Sequence, residues 1–231
     1  SEHYHPRGYH SGAVWPLYTG WVALAEYKNG RPLQAFSHIM GSLNNYRDFA
    51  LGYTEEVLNG EKYLPSGVCP HQCWSETMIL LPLIEGMLGI RKINASYLFE
   101  PALPFHWDSL KAENIRIGNI CFDWVMHRAE DETRYVFSGD ISEEFFSPSH
   151  AILPGLAFSP LFPPGTSFTD VRMDGRKIIY RTNSLPQGEQ LVLGVNIMNE
   201  CEITVKHSGG IALIPPVEKP APGEASQGIR I

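Results

Sequence analysis

The hydrophobic period of this chain changes near residue 90, and that change does most to limit what it can fold into. Before it, apolar residues recur at helical intervals; beyond it, they alternate. A period of about 3.6 makes one apolar stripe along a helix, whereas a period of about two makes one apolar face along a strand. Pro16 suits a helix N-terminus, where a missing amide hydrogen costs nothing. Leu17, Trp21, Leu24 and Ala25 follow at helical spacing, which places Trp21 with the core, and Asn29-Gly30 supplies a stop. Pro32 opens a second pattern, with Ala35, Ile39, Leu43 and Tyr46 on one side. A third runs from Trp74 through Met78, Leu81, Ile84 and Leu88 to Gly89. It is apolar nearly all round, so it is expected to be buried, and Pro82 inside it predicts a kink or an interruption.

Strand-like alternation follows at residues 115–125, 133–137, 177–180, 191–195 and 201–206. Asp174-Gly175 and Ser208-Gly209-Gly210 are turn signals. Residues 99–104 are held extended by their prolines. Residues 147–164 (SPSHAILPGLAFSPLFPP) carry too many prolines for a regular element, which suggests a long connection packed on the strands or a lid over a site. Residues 215–226 read as a mobile or draped tail. The expectation is a helical domain over residues 1–100 and a β-sandwich over residues 101–231.

Composition narrows the function classes. With 43% hydrophobic and 19% charged residues the chain has the make-up of a folded domain. A formal charge of −7 and a pI near 5.7 argue against nucleic acid, which demands a basic footprint, and suit a neutral partner. No apolar run approaches the roughly 18 residues that cross a bilayer, so no membrane partner is expected. Cys69, Cys73, Cys121 and Cys201 read as free thiols, and a cytoplasmic location is expected. Cys69, His71 and Cys73 could be ligands, but no second pair completes a zinc set, and no Walker, G-x-S-x-G or G-x-G-x-x-G motif is present. No cofactor and no metal are expected.

Two loops carry the chemistry. Residues 53–74 (YTEEVLNGEKYLPSGVCPHQCW) set Glu55 and Glu56 side by side among glycines and prolines. Residues 8–16 (GYHSGAVWP) gather aromatic and hydrogen-bonding groups. Indole faces suit the apolar face of a pyranose, and carboxylates and amides suit its hydroxyls. Hydrolysis of a glycosidic bond commonly uses two carboxyl groups on opposite sides of that bond. Adjacent Glu55 and Glu56 cannot both serve, and read without a site they are two surface acids. Trp15 and Trp74 each stand where a loop becomes a helix, and His10 and Gln72 share those loops.

GYHSGAVWP at 8–16, EVLNG at 56–60 and CPHQCWS at 69–75, in that order, resemble the last part of the amylo-α-1,6-glucosidase and glycogen-debranching-like hydrolases. LPLIEGMLG at 81–89, PALP at 101–104 and IRIG at 115–118 extend the likeness. The resemblance implies an α+β chain: the last helices of an (α/α)6 six-hairpin toroid followed by an antiparallel β-sandwich. It implies an inverting glycoside hydrolase acting on α-glucosidic linkages, with Glu56 as the catalytic general base and His10, Trp15, Gln72 and Trp74 binding an oligosaccharide or glycogen-like substrate. The general acid, an Asp in that family, would belong to a missing upstream part of the same polypeptide, so this chain alone would be inactive. Thr54-Glu55 replaces the usual Pro before the Glu, and Cys73 replaces an Ala. Alternatives are a trehalase-like hydrolase or a phosphorylase of related build, or a non-catalytic carbohydrate-binding module.

Overall fold

A computed structural model describes residues 3–49, 53–93, 96–117, 120–139, 156–195 and 200–212. The chain divides into two compact units between Gly86 and Met87. The first holds helices α1 (Pro16–Lys28), α2 (Pro32–Asp48) and α3 (Cys73–Leu81). Pro16 and Pro32 sit in the first turns of α1 and α2, and α1 ends at Asn29, whose amide returns to Ala25 and Glu26 carbonyls. Helix α1 packs on both α2 and α3. A Cβ at Gly20 would overlap the Met78 carbonyl, so the absent side chain lets α1 and α3 meet backbone to backbone.

At Pro82 the third helix changes its winding, and Pro82–Met87 is a π-helix. Proline offers no amide to the carbonyl four residues back and its ring crowds that carbonyl, so a wider turn relieves the clash. The burial expected for this segment fails on one side: Leu80 is 58% exposed and Ile84 47%. Trp21, assigned to the core by its stripe, is likewise 51% exposed.

The (α/α)6 toroid is contradicted. The described residues hold three α-helices, of 13, 17 and 9 residues, and much of the remaining order is strand. A toroid of hairpins needs helix after helix. Here the described residues between α2 and α3 form a helix-free loop tied by isolated bridges, and after Met87 the chain turns straight to strands. The identification as an amylo-α-1,6-glucosidase falls with the toroid. So does the reading as the C-terminal part of an inverting, glycogen-debranching hydrolase with Glu56 as its general base.

The second unit is two six-stranded sheets. Its strands are β1 (Ile90–Ile93), β2 (Ser96–Phe99), β3 (Ser109–Ile117), β4 (Ile120–Arg128), β5 (Glu132–Gly139) and β6 (Leu156–Phe158). Then come β7 (Leu161–Phe162), β8 (Thr166–Met173), β9 (Arg176–Lys177), β10 (Arg181–Leu185), β11 (Gly188–Val195) and β12 (Cys201–Gly209). One sheet runs β1-β2-β6-β11-β10, with β7 also on β11; the other runs β3-β4-β5-β12-β8-β9. Among the described residues all pairings are antiparallel except β2 with β6, which is parallel, so the sandwich departs there from the expected antiparallel build.

Period-two patterning explains the core between the sheets. Phe122, Trp124 and Met126 alternate on β4, and Tyr135 and Phe137 alternate on β5, all buried. They meet Phe99 of β2 and Phe158 of β6, with ring centroids 4.8 Å apart for Phe99–Trp124 and 5.0 Å for Phe137–Phe158. Asp174 and Gly175, at φ 49° and 75°, make the tight turn between β8 and β9 that the Asp-Gly pair announced. The strand expected at residues 177–180 shrinks to Arg176–Lys177. The proline-rich stretch yields β6 and β7, two short strands kept brief by Pro160 and Pro163. Residues 147–155, the tail at 215–226, and the acid pair Glu143-Glu144 lie outside the described residues. Among those that are described, no helix is long and apolar enough to cross a membrane.

Candidate functional site

The two loops of the first unit are stitched to each other through their backbones. Val14 and Leu58 exchange both amide bonds, at 2.9 and 2.8 Å, and the Gly60 amide donates to the Pro6 carbonyl at 2.8 Å. A Cβ at Gly60 would run into the Gly12 carbonyl, so glycine is what permits this approach. On its other side the Glu loop is held by the segment leading into α3. The Glu56 amide donates to Cys69 O at 2.9 Å and the Gln72 amide to Thr54 O at 3.0 Å. The acids therefore sit on backbone fixed from two directions.

Glu55 and Glu56 are 7% and 6% exposed, and their side chains take different partners. Successive residues of an extended segment face opposite ways. The Glu55 carboxylate accepts the amides of Gly67 and of Val68, the latter at 3.1 Å, and so closes a turn of its own loop. The Glu56 carboxylate instead accepts the Tyr9 hydroxyl at 2.7 Å. That bond is the largest cause holding the Tyr9 phenol above its ordinary pKa, followed by partial burial and the charge of Glu56. Tyr9 thus stays a donor, and among the described residues the second Glu56 oxygen has no hydrogen-bond partner.

Around this pair lies a run of rings. Trp15 donates its indole N–H to the Tyr9 carbonyl at 3.0 Å and meets the Tyr9 ring edge-on at 4.6 Å. His10 stacks on Trp15, with centroids 6.0 Å apart and planes 15° from parallel. Tyr18 follows Trp15 at 5.7 Å, and Trp21 follows Tyr18 at 5.5 Å. Tyr18 and Trp21 are both exposed. The result is a ladder of aromatic faces along α1, beginning at a buried carboxylate and ending in solvent. An ordered carboxylate beside ring faces can accept hydroxyls and pack an apolar ring surface.

Of the residues expected at a site, Glu56, His10 and Trp15 are brought together through Tyr9. Gln72 precedes α3 and reaches the Glu loop by its amide, and Trp74 stands exposed in the first turn. Among the described residues neither makes a hydrogen bond or ring contact with Tyr9, His10, Trp15 or Glu56. His71 lies against Tyr53, ring centroids 4.3 Å apart, and faces the Glu76 carboxylate at 3.0 Å.

Tyr18 and Trp21 were not singled out as site residues. Their signal was present: aromatic residues at 15, 18 and 21 recur every three positions, which makes each the surface neighbour of the last on a helix. Asn45 was missed as well. It is buried, its Oδ1 has no hydrogen-bond partner among the described residues, and it lines a cavity of about 310 Å³ with Phe49, Tyr53 and Glu55.

No protein-family model matches the chain, and no curated protein matches it in sequence. Several solved structures share distant likeness. One is an α-1,4-glucan lyase from Gracilariopsis lemaneiformis, seen as a covalent intermediate complex with 5-fluoro-idosyl fluoride. It has 12% identity and a TM-score of 0.30, over 48% of this chain and 13% of that one. Another is a GH127 β-L-arabinofuranosidase from Geobacillus stearothermophilus T6, with 11% identity and a TM-score of 0.35. That match covers 81% of this chain and 28% of the other. The chain thus spans less than a third of either structure, and at these scores neither likeness assigns it a fold or an activity.

Proposed function

We propose that the first unit binds a neutral saccharide at the Tyr9–Glu56 pair, with the ladder on α1 as its aromatic platform. The observation that carries this reading is the buried Glu56 carboxylate, held at 2.7 Å by the hydroxyl of Tyr9, whose ring meets both Trp15 and His10. Glu56 accepts a sugar hydroxyl on its remaining oxygen. Trp15, Tyr18 and Trp21 offer faces to successive ring surfaces, as carbohydrate sites do with their apolar walls. The acidic balance of the chain suits an uncharged ligand and repels polyanions. Glu55 closes its turn and takes no part.

The test is calorimetric titration of the full chain with neutral hexasaccharides: maltohexaose, cellohexaose and xylohexaose. At least one is expected to bind. Glu56→Gln and Trp15→Ala should each weaken it by about tenfold or more, the loss expected for a hydrogen bond to a charged group or a buried aromatic contact. Binding that survives both substitutions unchanged, or binding of none of the three sugars, refutes the reading.

A further inference from the structure

The second unit has a cleft of its own that the first site does not use. It measures about 880 Å³ and is lined by the segments at residues 105–108, 128–131, 162–166 and 207–212. That volume lies within the range of small-molecule sites, about 300–1,000 Å³. Its floor is partly apolar, from buried Phe105 and Phe162, and partly polar, from Arg128, Thr166 and His207.

Arg128 is the unusual member. Its Nη1 donates to the Pro104, Phe105 and Trp107 carbonyls at 3.1, 3.1 and 3.2 Å, which pins the guanidinium against the loop carrying Trp107. Its Nε is buried with no hydrogen-bond partner, and no carboxylate pairs with it among the described residues. The Nε is closed off from solvent and from any ligand in the cleft, and the guanidinium nitrogen left to meet a ligand oxygen is Nη2, which has no hydrogen-bond partner among the described residues. Above this floor stand three exposed acids, Asp108, Glu130 and Asp131.

The charges select the ligand class. An anion would meet three carboxylates on its way to one cation. A cation would pass the rim and then face an unpaired guanidinium. A neutral polyol avoids both penalties, because its hydroxyls accept from Arg128 and donate to the rim acids. Trp107 and Phe105 add apolar surface for the face of a sugar ring.

We propose that the cleft between the Trp107 loop and the Gly209–Gly210 end of β12 is a second, independent site for a neutral saccharide, anchored by Arg128 and rimmed by Asp108, Glu130 and Asp131. The chain would then hold carbohydrate at two places, one on each unit.

The experiment is the same titration of the full chain with maltohexaose, cellohexaose and xylohexaose, now followed residue by residue through the indole N–H signals in NMR spectra. Trp107 should shift on titration with at least one sugar and keep shifting in Glu56→Gln, where the first site is disabled. Asp131→Asn and Glu130→Gln are rim changes on exposed side chains that leave the fold intact, and the pair should weaken the Trp107 response by about tenfold. Arg128→Gln should do the same if it folds. Trigalacturonate, an acidic sugar, should leave Trp107 unmoved. The proposal is overturned if no neutral sugar moves Trp107, if the rim pair changes nothing, or if trigalacturonate binds equally well. Loss of the Trp107 response in Glu56→Gln would also overturn it, whereas failure at Trp15 alone would count only against the first site.

Discussion

The two units solve opposite problems with the same residue types. The sandwich buries its rings: Trp124, Phe137 and Phe158 are fully enclosed, and none of its acids among the described residues is buried. The helical unit does the reverse, burying Glu55 and Glu56 while leaving Tyr18, Trp21 and Trp74 exposed. Buried carboxylates and exposed indoles both work against stability, since one loses water and the other keeps it ordered. Glu55 is accounted for by the turn it closes, whereas Glu56, held by Tyr9 beside the exposed rings of α1, is what the proposed saccharide site would explain.

The contrast can be broken by substitution. Trp124→Ala removes a ring at the centre of the sandwich, where nothing can refill its space, and should cost about 3–5 kcal/mol in urea unfolding. Gly60→Ala should come next. A methyl group there meets the Gly12 carbonyl, so the loops must part, at about 1–3 kcal/mol and with lost hydrogen-exchange protection at Val14 and Leu58. The acid pair should then separate by role. Glu55→Gln weakens an acceptor of two amides and should lower stability by about 1 kcal/mol or more. Glu56→Gln should act mainly on sugar binding, and a stability loss equal to that of Glu55→Gln would erase the distinction between them.

A smaller effect is expected with pH. Burial first, and then the charge of Arg128, hold the His207 imidazole below its ordinary value of 6.5. The unfolded chain therefore takes up that proton first as pH falls. This contribution is whole above about 6.5 and is lost as pH drops from there through the lower folded value. His207→Gln should flatten that slope, and an unchanged slope would show that other groups cause it. Least of all, Trp21→Ala should change stability by no more than about 0.5 kcal/mol, because the ring is half in solvent.

The legible parts of the fold were those written in neighbouring residues. Pro16 and Pro32 announced helix starts, Asn29-Gly30 a stop, Pro82 a break in winding and Asp174-Gly175 a turn, each through a local backbone constraint. Alternation over residues 115–125 announced strands there, which the structure divides between β3 and β4. What failed needed distant information. A helical stripe shows which residues share a side, not whether anything covers it, and so Trp21 and Leu80 were placed inside. Three short motifs in order suggested a toroid, yet such motifs describe loops, and the number of helices is set by the rest of the chain. At the site, the Glu55-Glu56 pair and Trp15 stood out by residue type and loop position, and only the resemblance singled out Glu56. Tyr18 did not, because a tyrosine in a helical pattern reads as packing until its neighbours at three-residue spacing are counted together.

The parallel pairing of β2 with β6 has a consequence for assembly. Tyr97 must find Leu156, and only then can β11 close against the far side of β6. By that point the chain has already produced β3, β4 and β5, which pair with one another through nearby turns. Contacts between distant residues close slowly, because the intervening chain must first give up its freedom. The β3–β4–β5 part of one sheet should therefore form early from local pairings, while the β1–β2 hairpin waits with an open edge. During synthesis that edge stays available until β6, at residues 156–158, emerges, which makes it the place where misassembly would begin.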